Sequence, residues 1–200
     1  MTDPAHHEAR RTVVLAGHHG DEATARSGLN HPDRGVRASA IGALERMGAL
    51  RIDDLEAALG DTAAGVACRA CEAVALLPGD RPPSLLDTLS GADATVVEVA
   101  AWASGERQPP EAGIVAVLAH LTTTHDDALV REAAVAALGA IGDEAGLAAI
   151  LAATADKATV RRRAVLALAP FEGEAVDAAL EQARQDRDWQ VRQAAEDLSE

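Results

Sequence analysis

An alanine recurs along this chain at a nearly constant interval, each time four residues after a small or β-branched apolar residue. The apolar anchors are Ala5, Val36, Val66, Val96, Val130, Val160 and Val191, separated by 31, 30, 30, 34, 30 and 31 residues. The alanines are Ala9, Ala40, Ala70, Ala100, Ala134, Ala164 and Ala195. Four residues further come Val13, Leu44, Val74, Ser104, Leu138, Leu168 and Ser199, and three further Ala16, Met47, Leu77, Arg107, Ile141 and Phe171. Steps of four, four and three trace one stripe of an α-helix. The clearest copy is VREAAVAALGAIG, Val130 to Gly142, with Asp126 and Asp127 placed to cap its start and Gly142 to end it. One such helix has an apolar stripe with nothing to cover it, whereas copies at a fixed period can cover one another. A small side chain in mid-stripe lets the next helix approach closely. The fourth copy keeps the first half of the pattern and loses the second.

Six plainer helices fall between these marked ones, near residues 21–30, 52–59, 84–89, 111–121, 144–154 and 174–184. Leucine and valine pairs such as Leu55 and Leu59, or Val176 and Leu180, give them an apolar face. Gly or Pro marks many joints: Gly17, Gly20, Gly48, Gly60, Pro78, Gly79, Pro109, Pro110, Gly142 and Gly173. The widest irregularities are 78–83, 105–110 and 122–127, and the last two bracket the 34-residue gap, so a looser joint is expected there.

The segments HPDRGVRASAIGALERMG, HDDALVREAAVAALGAIGDEAGLAAIL, DKATVRRRAVLALAPF and DRDWQVRQAAEDL resemble HEAT-like repeats, in particular the short class named after phycobilisome lyases. The resemblance covers nearly the whole chain. It implies an all-α fold, a right-handed α-solenoid of about six helical pairs and about 13 helices, forming a single repeat domain over residues 1–200. It also implies that the marked helices line a concave groove. Arginine follows the anchor at Arg37, Arg131, Arg161 and Arg192, and Asp33, Asp127 and Asp188 stand four residues before three of these. In HEAT-like repeats such Asp–Arg pairs form a ladder between adjacent repeats, a structural role. Trp189 is expected to cover the preceding repeat, and Trp102 to be partly exposed.

Composition narrows the partners. A formal net charge of −14 disfavours nucleic acid, because counterion release requires several basic contacts. The one basic cluster is Arg161, Arg162 and Arg163. The plain helices are acidic, so the resemblance implies an acidic face opposite a mixed groove. No signal peptide is visible in the first eleven residues, and no apolar run approaches the roughly 20 residues of a membrane span. A cytoplasmic setting is expected.

Catalytic chemistry finds little support. Some HEAT-like hydroxylases repeat His-Glu pairs on four helices. Here only His7-Glu8 falls at that position, so no metal is expected, with His6, His7 and His31 the lesser candidates. Cys68 and Cys71 spell a CxxC motif, but inside a helix, where Cys71 aligns with packed residues. The class name implies bilin lyase activity, yet nothing marks a chromophore site and Tyr is absent. The reading is a non-enzymatic protein-interaction scaffold or regulator without cofactor, its contacts Arg161, Arg162, Arg163 and Trp102. The alternatives are an accessory lyase-type or small-ligand-binding protein, and a homo-oligomeric module pairing through its terminal repeats.

Overall fold

The computed structural model describes residues 4–77 and 82–198, and contains 13 α-helices and no strand among them. The marked helices are α1 (Pro4–His19), α3 (Arg34–Arg46), α5 (Ala64–Leu76), α7 (Ala94–Gly105), α9 (Ala128–Ile141), α11 (Ala158–Ala167) and α13 (Trp189–Asp197). The plain helices alternate with them: α2 (Glu22–Ser27), α4 (Ile52–Leu59), α6 (Leu86–Leu89), α8 (Ile114–Thr124), α10 (Leu147–Ala153) and α12 (Glu174–Arg184). Short 3-10 turns extend α2 at its end and α10 at its start. The chain divides into two compact units, Met1–Thr88 and Leu89–Glu200. The joint residues Pro78 and Gly79 and the stripe position Ser199 lie outside the described residues.

Local chemistry sets the helix ends. Asp21, Asp33, Asp93, Asp127 and Asp188 each accept a backbone N–H of the helix they precede, meeting the need of its first turn. Gly142 closes α9 in the left-handed region, with φ of 67°, and its N–H bonds the Leu138 carbonyl. Helix α8 starts three residues later than its apolar pattern predicts, because Gly113 adopts φ of 86° immediately before Ile114.

In the first unit α1 packs on α3 and α3 on α5; in the second, α7 packs on α9, α9 on α11 and α11 on α13. The stripe faces inward. Ala40, Ala70, Ala100, Ala134, Ala164 and Ala195 are all fully buried, while Ala9 is half-buried. The anchors Val36, Val66, Val130, Val160 and Val191 are buried as well. In the fourth copy the register holds at Ala100, but Val97 rather than Val96 is buried. Ser104, standing where five other copies have leucine or valine, turns its hydroxyl onto the Ala100 carbonyl at 2.8 Å.

A second small-residue contact lies nearer the helix ends. A Cβ placed on Gly17 would come within 2.8 Å of Ala43, and one on Gly105 within 2.8 Å of Ala137. At Gly139 the distance is 2.6 Å to both Cα and Cβ of Ala167, with the backbone oxygen at 3.0 Å. Helix propensity alone favours alanine over glycine by about 1 kcal/mol. The contact reverses that sign, because the obstacle is backbone and cannot turn aside. Gly139→Ala is expected to destabilise the second unit by about 1–3 kcal/mol. Gly65→Ala, where a Cβ meets nothing within 4 Å, is expected to be neutral or stabilising. Urea unfolding of the two variants checks both signs.

Candidate functional site

The arginines of the marked helices form a ladder, but with different aspartates from those the sequence suggests. Arg37 Nε and Nη2 donate to the two carboxylate oxygens of Asp61 at 2.7 and 2.8 Å. Arg131 grips Asp156 in the same way at 2.6 and 2.8 Å, and Arg161 grips Asp186 at 2.8 and 2.7 Å. The remaining nitrogen, Nη1, donates backward to loop carbonyls. It reaches His31 and Pro32 from Arg37, His125 and Asp126 from Arg131, and Asp156 from Arg161. Each rung therefore clips a marked helix to the loop before it and to the loop before the next one. Asp33, Asp127 and Asp188 lie too close to the start of their own helices for this. They cap instead, accepting from the N–H groups of Val36, Leu129 and Gln190 at 3.1, 2.9 and 2.9 Å.

The rung carboxylates are doubly held. Asp61, Asp156 and Asp186 also accept backbone N–H groups from Ala63, Lys157 and Asp188. The arginine hydrogen bonds, foremost, hold all three below the usual carboxylate range. In the first copy His6 occupies the arginine position. Its Nδ1 lies 3.4 Å from Asp33 Oδ2, and its ring meets His31 edge to face at 5.7 Å. The register, one residue after Ala5, was the available signal for this role. Copies three and four carry Ala67 and Val97 at the arginine position, both buried.

This arrangement reassigns Arg161. Its side chain is 7% exposed and committed to Asp186, so it belongs to the ladder and presents no free charge to a partner. Arg163 lies 3.7 Å from Glu132. Arg162 is exposed and has no ion-pair partner among the described residues. It lines a groove of about 200 Å³ between α11 and α13 with Leu166, Trp189, Gln190, Gln193 and Asp197. Trp189 leans toward this groove but is 64% exposed, and so covers the preceding repeat only in part. Trp102 and Leu129 are also exposed, at 41% and 56%. Counted from the anchors, Trp102 and Leu166 occupy the same register position on α7 and α11.

The other sequence candidates separate. His6 and His31 come together, whereas His7 points to solvent; no group of three metal-ligating side chains occurs among the described residues. Neither cysteine is in a disulfide, and burial pushes the Cys71 thiol up to about 12, far from the thiolate that redox chemistry uses. The first unit holds a cleft of about 450 Å³ with Ile41, Ala58 and Val66 at its apolar side. Of its three lining carboxylates, Asp54 and Asp61 are already engaged, by Arg26 at 2.6 Å and by Arg37, and the third is Asp53.

Residues 82–169 match the family model of HEAT repeats. Those 88 residues, less than half of the chain, are thus similar to HEAT repeats. The match is to HEAT repeats in general and does not single out the phycobilisome-lyase class. A designed armadillo repeat protein, solved in complex with the peptide (KR)4, is 17% identical over 94% of this chain and 84% of that one, with a TM-score of 0.45. An engineered protein is 19% identical over 94% and 85%, with a TM-score of 0.40. No curated protein matches.

Breaking a rung leaves a shielded carboxylate without its partner. Arg161→Met is expected to cost about 3 kcal/mol, and Arg162→Met less than about 0.5 kcal/mol. Because the folded-state pKa of Asp186 is depressed, the rung stabilises fully above the ordinary aspartate pKa of about 3.9 and is lost as pH falls through the depressed value. Urea unfolding at pH 7, 5 and 3 should therefore show the gap between parent and Arg161→Met narrowing at pH 3.

Proposed function

We propose that this chain is a non-enzymatic protein-interaction scaffold or regulator, one repeat domain spanning residues 1–200, that binds a protein partner on the open face of its marked helices. The observation that carries this reading is the set of large apolar side chains left open in the second unit. Trp102, Leu129 and Trp189 stand on three of its four marked helices, with Arg162 beside Trp189. Exposed aromatics beside an arginine are the usual composition of a binding hot spot.

The charge pattern supports a protein over a polyanion: the net charge is −14, and Arg161 and Arg163 face carboxylates. Among the described residues no helix is long and apolar enough to cross a membrane. A cytoplasmic setting fits two cysteines outside any disulfide. The small-ligand alternative would use the 450 Å³ cleft of the first unit. Two of the three carboxylates lining that cleft are already held by arginines, and this favours the scaffold reading.

The test is affinity capture from native cell extract with the parent chain and with a Trp102→Ala, Arg162→Glu, Trp189→Ala variant, leaving the ladder residue Arg161 intact. The variant is expected to lose the specific partner by at least tenfold while retaining its helical circular dichroism. Equal recovery by the two proteins would overturn the assignment of the face.

A further inference from the structure

The open face of the second unit carries two parallel rows of side chains. Counted from the anchors Val96, Val130 and Val160, Glu98, Glu132 and Arg162 stand two residues on, and Trp102, Ala136 and Leu166 six residues on. Within each helix the two positions lie one turn apart on one face. The same positions on α13, Gln193 and Asp197, share a groove with Arg162 and Leu166, so both rows look onto one surface. Because α9 packs between α7 and α11, the apolar row is a slot with the small Ala136 in its middle and Trp102 and Leu166 at its sides. The charged row is open at its ends. Glu132 faces Arg163 at 3.7 Å, whereas Glu98 and Arg162 have no hydrogen-bond or ion-pair partner among the described residues.

We infer that this face receives an amphipathic helix of the partner protein, laid across α7, α9 and α11, with a carboxylate over Arg162, aliphatic side chains in the slot and a basic residue over Glu98. This rests on the scaffold reading and adds Glu98 and a direction to it. Packed helices lie about 8–10 Å apart, and the close glycine–alanine contacts at Gly105 and Gly139 put these at the short end. Glu98 and Arg162 are therefore about 16 Å apart along the row, a distance that a helix spans in about eleven residues, or three turns. Residues at that spacing return to the same face, so one helix meets both charges and the slot between them. An extended segment fits less well. The second, third and sixth positions after the anchors of the three helices hold no hydroxyl or amide side chain, so a strand-like backbone would lie there with N–H and C=O groups unpaired. A helix pairs its own. Its dipole sets the direction: a carboxylate suits the first turn and a cation the last, so the bound helix runs from α11 to α7.

The probe is the blocked peptide AQEAAALAQLAQAKAQ, whose acid and base stand about three helical turns apart with leucines between them. Its host is the whole chain with Trp189→Phe, so that Trp102 is the only indole. The expected result at millimolar peptide is a saturable blue shift of Trp102 emission, with affinity roughly fivefold higher than for AQKAAALAQLAQAEAQ, in which the two charges are exchanged. A host that also carries Glu98→Arg and Arg162→Glu should prefer the exchanged peptide. A central proline, in AQEAAALPQLAQAKAQ, should abolish the shift. No saturable shift, equal affinity for the two charge patterns, or undiminished binding of the proline peptide would overturn the inference. So would an unreversed preference in a charge-exchanged host that keeps its helical circular dichroism. Self-association seen by sedimentation and lost in Trp102→Ala would overturn it too, since a second copy would then cover the face. Any of these results, beside a capture variant that still loses its partner, sinks the helix and leaves the scaffold reading standing.

Discussion

Close approach between successive marked helices is the condition on which the structure rests. An isolated helix of nine to sixteen residues with one apolar stripe is not stable in water. It becomes so only when a neighbour covers the stripe, and the neighbour must come near enough for dispersion contacts to form. The fully buried alanines provide that nearness at mid-helix, and Gly17, Gly105 and Gly139 provide it near the helix ends. The core is accordingly aliphatic and thin, with Phe171 its one aromatic. Its stability comes from many small contacts rather than a few large side chains.

The arginine ladder completes what those contacts leave unfinished. Loops between helical pairs expose backbone carbonyls and carry aspartates besides those that cap the helices. Arg37, Arg131 and Arg161 take both kinds of acceptor with a single planar group. A lysine, with a point charge on a flexible stem, has no equivalent geometry. The chain is strongly acidic overall, and these arginines are spent internally. Its outward basic character is correspondingly slight, and Arg162 stands out because its neighbours Arg161 and Arg163 are taken.

The ladder is also uneven. Ala67 and Val97 replace arginine on either side of the boundary near residue 88, and both are buried. Each unit thus carries its own rungs, one in the first and two consecutive ones in the second. The fourth copy, where Ser104 and Arg107 interrupt the stripe, belongs to the same interruption. Where the position is buried, as at Arg161, Ala67 and Val97, it holds either a gripping arginine or a packed apolar residue, because a buried guanidinium without an acceptor is costly.

The sequence by itself determined the helices, their order and the faces they bury. A stripe repeated at a thirty-residue period is a local pattern, and its alanines point inward whatever the fine geometry of the stack. Gly142, the Asp127 cap and the packed Cys71 were legible for the same reason. Only the tertiary structure decided the partners of the charges. Asp33 and Asp61 are both aspartates in loops ahead of a marked helix, and nothing local says that one caps while the other receives Arg37. That choice depends on where the next turn of the chain places its carboxylate, 24 residues later. The same dependence moved Arg161 from the exposed surface into the ladder, because a side chain's freedom is settled by what packs against it.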